Sequence, residues 1–503
     1  MTGEDTGQFH HRVANAVAAL RDDPSFAPLE MSWNSPAAPS IALQSDIVVI
    51  HGLAGAEIAT LINERRAAGR PTLVEFADDL TAEVPWTRRG LPHRDPFVVG
   101  RQLLHGSLAD GLQLSSRGLR DRYAEINPRT AVLDNVVEFP DQFPSKPPGF
   151  VVGWAGTRSH AADLAAIAPA IISFCQRRPD AVFALMGDSE LFAMFAALPQ
   201  PQFIRREFGS YEDYRAFLNT LHVGVIPLRE TQFNGGRSDV KLVEMVASGL
   251  AVIAQDAPAY HALRDSVLLF REGAELEQLI DVLYDDSEVR RRLAARAWRA
   301  LRETHCASAV TARHRAWFAE WRPEHGSGPV NISNDDASSD AVCSLNDALR
   351  AAHTGDKEGA LAAMLALLRR NPTYSQARWQ ATLMLLDLGR PAAALETGAP
   401  LARCRVFRDA WLTVASGLTD NAEIGSQIQT PSLRAMLTRT NERAADYHAR
   451  VLESHPFHYF ALAAEERRAH VDGNVARAAG LRRRLHLVRP ERRGASIAIS
   501  GAA

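Results

Sequence analysis

Residues 233–258, FNGGRSDVKLVEMVASGLAVIAQDAP, constrain this chain more than any other stretch. A loop rich in Asn and Gly runs into a helix carrying Ser238, Asp239, Lys241 and Glu244. That helix stops at Gly249, and the short apolar strand LAVIA follows at once. Glycines such as Gly236 let backbone N–H groups approach an anion closely, and a helix N-terminus adds partial positive charge at the same place. Lys241 and Glu244 lie three apart, so they share one helix face. One cation for a phosphate and one carboxylate for sugar hydroxyls suit a nucleotide ligand. The same pattern also suits the loop–helix–strand unit of any α/β protein.

The chain has 503 residues, more than one core organises, and roughly two to four domains are expected. With 46% apolar residues, 23% charged residues and a formal charge of −3, it has the composition of a soluble globular protein. That balance gives no electrostatic case for nucleic acid as a partner. Cys175, Cys306, Cys343 and Cys404 lie far apart without CxxC or Cys/His ligand spacing. They fit buried thiols in a reducing compartment better than disulfides or zinc. No run approaches 18 uninterrupted apolar residues, and MTGEDTGQFHHR lacks an apolar signal core. A cytoplasmic protein is expected, with at most peripheral membrane contact.

From Ser45 to Phe139, short apolar runs alternate with helical patterns. DIVVIHG (46–52), PTLVEFADD (71–79), GLQLSS (111–116) and TAVLDNVVEF (130–139) read as strands, with GAEIATLINERRAAG (55–69) as a helix. Strand–helix alternation implies a parallel sheet. The Pro-rich joint PSKPPGF (144–150) opens a second set, with strands VVGWAG (151–156), AVFALMGD (181–188), FIRREFG (203–209) and VGVIPL (223–228). The helix after Gly236 and the strand LAVIA are expected to complete that sheet, and residues 275–321 read as mainly helical. PEHGSGPVNISNDDASSD (323–340) lacks periodicity and reads as a linker. Beyond it the pattern is all helical: Gly355 and Gly389 are 34 apart, as are Ala360 and Ala394. That period is the tetratricopeptide signature, degenerate between 404 and 459.

The string around Glu244 resembles the donor-site signature of GT-B-fold, retaining glycosyltransferases, in the variant with Ser-Asp-x-Lys-x-x-Glu found in bacterial surface-polysaccharide enzymes. In that family a Glu at the position of Glu244 grips the ribose of a nucleotide-sugar. The family's first acidic residue, eight positions upstream, is Gly236 here, and Ser238 and Asp239 are candidates to replace it. GWAGTRSHAADL (153–164) resembles the loop that starts the C-terminal half of these enzymes. By that resemblance Gly156, Thr157, Arg158 and Lys241 contact diphosphate, and Gly187 and Asp188 of GDSE lie near the base or diphosphate. N-capping by Thr157 or Ser159 is the plainer reading of the loop. His51 matches a strand end near the donor sugar, and Asn135 the strand end before the hinge. Asp78 and Asp79 line the cleft or form a turn.

The resemblance implies two Rossmann-like domains (GT-B), 1–146 on the acceptor side and 147–322 on the nucleotide-sugar side, then the linker 323–340. An all-α, tetratricopeptide-like domain follows at 341–495. In such enzymes the run ending in HRAWFAEW crosses back to the first domain. The first half normally opens with a strand and a Gly-rich turn. This chain opens with the helical FHHRVANAVAALRDD, so that half is expected to be minimal or to lack its start. The implied activity is hexosyl transfer with retention, from a nucleotide-sugar to a glycan or protein hydroxyl. His51, Lys241 and Glu244 are the catalytic candidates, with no metal and no resident cofactor. The repeats would take a protein partner, and independent folding of 341–495 is expected. LRRRLHLVRPERR is a solvated helix face or an anionic-membrane contact; His10, His11 and Arg12 are acceptor contacts or a solvated helix start. Two other readings stand beside this one: a non-catalytic scaffold on a decayed transferase core, and a sugar-nucleotide epimerase.

Overall fold

The computed structural model describes residues 10–82, 96–321, 337–419, 448, 449, 452 and 459–488. Two parallel sheets are followed by a helical region, the mixed α/β class that the alternation predicts.

The first sheet runs in the order β1 (Val48–His51), β2 (Thr72–Phe76), β3 (Gly111–Leu114), β4 (Thr130–Val132). One face buries Ile50, Val74, Leu112 and Leu114 against Ile58 and Ile62 of the helix Ala56–Ala67 and Leu119 of the helix Arg117–Tyr123. The other face packs Leu73 and Leu133 against Leu20, Trp317, Phe318 and Trp321. The helix Ala307–Ala319 therefore does return to the first sheet, carried there by its tryptophans. The strand read over 130–139 is cut to three residues. Beyond Val132 the chain turns towards the second sheet, where Asn135 Nδ2 donates to Ser238 Oγ at 3.0 Å and Val136 N–H to His11 O at 3.4 Å.

The second sheet contains β5 (Val151–Gly156), β6 (Val182–Gly187), β7 (Phe203–Arg206), β8 (Val223–Ile226), β9 (Ala251–Gln255) and β10 (Leu268–Phe270), in the order β10-β9-β8-β5-β6-β7. Trp154, Phe183 and Leu185 point into a layer formed by the helices Ala161–Arg177 and Gly273–Asp285. Ala155, Ala184 and Met186 point into the opposite layer, with the helices Tyr211–Thr220, Val240–Ala247 and Ser287–His305. LAVIA does not complete this sheet. β10 pairs outside it, and a three-residue run is too short to show a period in the sequence. Strand order reverses between β5 and β8, which opens a crevice at their carboxyl ends.

Among the described residues seven α-helices follow: Ala337–His353, Lys357–Arg370, Ser375–Asp387, Pro391–Gly398, Arg408–Thr419, Tyr459–Val471 and Val475–Val488. Three pairs turn on Gly355, Gly389 and Gly473, at φ 107°, 72° and 70°. Only glycine takes these left-handed turns without strain, which is why the sequence period is visible. Most of the linker 323–340 falls outside the described residues, but 337–340 form the first helical turn, with Asp340 favourable at its N-terminus. Arg482 pairs with Glu466 of the preceding helix, so that arginine is internally neutralised. Among the described residues no helix is long and apolar enough to cross a membrane. The four cysteines are unpaired.

The helical region packs closely on the first domain, a contact its linker gave no sign of. Leu61 of the first domain shares a buried core with Trp379, Leu395, Phe407 and Trp411, and Trp33 packs on it. Gln376 Nε2 donates to the Trp33 and Ser35 carbonyls at 3.0 and 2.6 Å, and Asn34 Nδ2 donates to Asn346 Oδ1 at 2.7 Å. The apolar weld lies in residues 33–61, far from the linker, so linker composition could not reveal it. Trp379→Ala should therefore cost about 3–5 kcal/mol and lower a single unfolding transition of the whole chain in calorimetry. Two separable transitions, with only the helical one shifted, would contradict the shared core.

Candidate functional site

The crevice between β5 and β8 is organised by Asp163, which is 2% exposed in the first turn of its helix. Its Oδ1 accepts from the Arg229 N–H at 3.0 Å and from Asn234 Nδ2 at 3.1 Å; its Oδ2 faces His160 Nδ1 at 3.0 Å. One carboxylate thus joins the loop after β5 to the loop after β8. Burial first, then the Lys241 charge, pushes His160 down to about 3, despite Asp163. His160 is therefore a neutral imidazole with its proton on Nδ1, and its Nε2 is free to accept from Arg237 Nη2 at 3.4 Å.

Lys241 reaches the same place from the first turn of the helix Val240–Ala247. Its ammonium donates to Ala155 O at 2.9 Å and lies 5.1 Å from the Trp154 ring centroid. Among the described residues it makes no ion pair. Burial first, and then Arg237, lower it to about 8. Arg237 lies 4.5 Å from the Phe233 ring and 3.3 Å from Asp78. Two cations therefore converge beside a glycine loop, an arrangement suited to an anion. Gly156 and Gly187 meet backbone to backbone, since a Cβ on Gly187 would sit 2.5 Å from Gly156 O. Asp188 accepts from the Arg158 N–H across the same junction, and the Thr157 hydroxyl lies 2.6 Å from Ser159 Oγ.

Glu244 lies one turn further along and is 5% exposed. Its Oε1 faces His11 Nε2 at 3.0 Å, and its Oε2 accepts from the Tyr214 hydroxyl at 3.0 Å. His11 Nδ1 faces Val136 O at 3.2 Å, so both ring nitrogens meet acceptors. Burial disfavours the imidazolium, but Glu244 outweighs it and raises His11 above the ordinary range. The next residue, Arg12, turns the other way, donating to Glu75 Oε1 at 2.8 Å and Leu133 O at 2.6 Å. His51 Nδ1 stands 3.3 Å from the same Glu75 oxygen, at the matching register of β1 and β2.

The structure gathers Gly156, Thr157, Arg158, Gly187, Asp188 and Lys241 along the carboxyl ends of β5 and β6. It ties Ser238 to Asn135 instead, and sets Asp239 Oδ2 3.2 Å from His305 Nε2, so both face structural partners where a replacement acid was expected. Gly236 packs against the first domain. A Cβ there would meet Leu119 at 2.9 Å and Asp79 at 3.3 Å, and its carbonyl accepts from Ser116 Oγ at 2.7 Å. A longer acidic residue there would have to displace the Leu119 side chain. Asp78 and Asp79 diverge, to Arg237 and to Arg122 at 2.8 Å. Sequence reasoning assigned no role to His160, Asp163, Asn234, Arg237 or Tyr214. The first four lie inside the two quoted strings, where the i,i+3 His–Asp spacing was the available signal; Tyr214 carried none.

Residues 169–317 match a glycosyl transferase-like family. Solved structures similar to part of the chain include the Anabaena protein HepE with UDP and glucose, at 15% identity over 56% of this chain and 79% of that one, TM-score 0.43. The pneumococcal O-GlcNAc transferase GtfA with UDP and GlcNAc is similar at 14% identity over 57% and 59% of the two chains, TM-score 0.41. A UDP-forming trehalose-phosphate synthase from Burkholderia xenovorans is similar at 13% over 61% and 77%, TM-score 0.38. No curated protein matches the chain in sequence.

Burial alone would raise Glu75, but the Arg12 and His51 charges dominate and hold it at about 2, against 4.5 when unfolded. Between these values the unfolded chain binds more protons, so the contribution is full above about pH 4.5 and lost as pH falls through about 2. It is worth roughly 3 kcal/mol. Glu75→Gln should destabilise the chain at pH 7 by leaving Arg12 buried and uncompensated. It should also flatten the stability loss between pH 4.5 and 3 in urea titrations. An unaltered pH slope would detach Glu75 from this role.

Proposed function

We propose that the chain is a glycosyltransferase acting on a nucleotide-sugar, with Lys241 and Arg237 receiving the diphosphate. The observation that carries this reading is their convergence on the crevice beside the Gly156 and Gly187 loops. The match of residues 169–317 to a glycosyl transferase-like family supports it independently. The bond between the anomeric carbon and the diphosphate oxygen breaks, and the electron pair leaves with the diphosphate. The acceptor hydroxyl oxygen bonds to that carbon and gives up its proton. Retention puts the acceptor on the leaving-group face, where the departing phosphate oxygen is the nearest base. The chain's contribution is then electrostatic and positional. Glu244 is assigned to the ribose and His51, held by Glu75, to the sugar side. A hexose donor and a glycan or protein acceptor complete the reading, with cytoplasmic placement and no resident cofactor or metal.

The chain divides in this reading into an acceptor-side domain, 1–146, a nucleotide-sugar domain, 147–322, and tetratricopeptide-like repeats from 341. The repeats offer a protein partner their remaining surface, since Asn346 and Gln376 on two first helices already hold residues 33–35. A decayed scaffold is the second reading, favoured by the engagement of both Glu244 oxygens within the chain.

Calorimetry and hydrolysis assays against UDP-, GDP-, dTDP- and CMP-sugars separate the two: turnover of one donor supports the transferase, and binding of none supports the scaffold. With the donor that binds, Lys241→Ala should weaken the diphosphate form by about tenfold or more and the bare nucleoside little. Because the ammonium titrates at about 8, affinity for the diphosphate should fall as pH rises above that value. Equal losses for nucleoside and diphosphate, or a flat profile from pH 7 to 9, would make Lys241 structural.

A further inference from the structure

The N-terminal helical segment His10–Arg21 lies at the junction of the two sheets, and its first residues are anchored in opposite directions. Arg12 is held by Glu75 and Leu133 of the first domain, while His11 is held by Glu244 of the second. His10 stacks on Tyr211 at 4.5 Å and 14°, and Tyr214 on the same helix closes the other side of Glu244. Asn15 Nδ2 donates to Val136 O at 3.0 Å, and Thr311 Oγ1 donates to Ala19 O at 3.2 Å. The segment is therefore built in, not draped over the surface.

We propose that the start of His10–Arg21 is an autoinhibitory latch, with His10 and His11 covering Tyr211 and Glu244 so that a nucleoside reaches Glu244 only after these two residues withdraw. The inference rests on the reading of Glu244 as a ribose ligand. A carboxylate has further lone pairs, but one that is 5% exposed has no face left for two hydroxyls. His11 is the movable partner. Tyr214 belongs to a helix whose Phe217 and Leu218 are locked in the sheet's core. The buried apolar residues of the N-terminal segment, Ala16, Ala19 and Leu20, lie beyond its first turn, so His10 and His11 are held by hydrogen bonds and ring contacts alone. The latch also spans both domains, so its release loosens the junction at the step that admits the ligand. In a two-state scheme, occupancy by the latch lowers apparent nucleotide affinity by the fraction of unlatched molecules.

The test uses the full chain and UDP, GDP and dTDP as probes in calorimetry. His11→Ala should bind one of them about tenfold more tightly than wild type. His11→Gln, which can still donate to Glu244, should stay within about twofold of wild type. Hydrogen exchange in residues 10–21 should quicken in wild type when that nucleotide is added, a change no purely structural contact would give. The exchange arm also covers the case in which His11→Ala fails to fold. If wild type binds a nucleotide and the variant binds it equally or more weakly, or if exchange in 10–21 slows or is unchanged, the latch is wrong and the transferase reading stands. If neither protein binds any of the three, the transferase reading falls, and the latch with it.

Discussion

The buried carboxylate of Asp163 is the contact on which the site depends. Parallel sheets with a reversal of strand order leave two loops diverging from the switch point, and nothing in the sheet itself fixes their separation. Asp163 does so by accepting from a backbone N–H and an Asn side chain of the β8 loop while holding His160 in the β5 loop. The consequence is electrostatic. With Asp163 committed to neutral donors and to an imidazole held uncharged, the positive charges of Lys241 and Arg237 are only partly offset nearby. Burying an ammonium costs stability, and that burial is the main cause that pulls Lys241 down to about 8. A chain that keeps such a group at a ligand crevice holds a charge ready for an anion.

A second constraint acts between the sheets. Ser116, Asn135, Asp78 and His11 each reach from the first-domain side to the 236–244 segment. The same few residues that line the crevice from the second domain are thus read by the first. Gly236 shows the trade directly: the position that carries an acid in the family resembled is spent on close packing against Leu119 and Asp79. Glycine at this position lets the two domains approach closely.

Much of this was legible in the sequence, and the reasons differ by element. Apolar runs such as VVGWAG and AVFALMG are strands because they are buried on both faces, which gives an unbroken signal. Gly355 and Gly389 were visible because left-handed turns demand glycine. Lys241 and the Gly156 loop were found because their spacing is local. What stayed hidden is contact between distant residues: His11 meets Glu244 across 233 positions, and Gln376 meets Trp33 across 343. No periodicity encodes such pairs. Residues 33–35 look like a loop, and their polarity is satisfied only once the helical region is in place.

That docking changes what the helical region can be. A freely hinged array would recruit a partner without altering the sheets, but this one buries Trp379 and Trp411 with Leu61, on the helix that backs β1 and β2. β1 carries His51 and β2 carries Glu75, which holds both His51 and Arg12. Arg12 is adjacent to His11, and His11 reaches Glu244. A continuous series of packed and hydrogen-bonded groups therefore runs from the array, through the first sheet, to the helix of the second that carries Lys241 and Glu244. Rigid elements of this kind can carry a bias from one end to the other only where some member has two arrangements. The helices and strands in the series are fixed by buried apolar cores. The segment His10–Arg21 is fixed in the same way by Ala16, Ala19 and Leu20, and within the series only His10 and His11 at its start rest on hydrogen bonds and ring contacts alone.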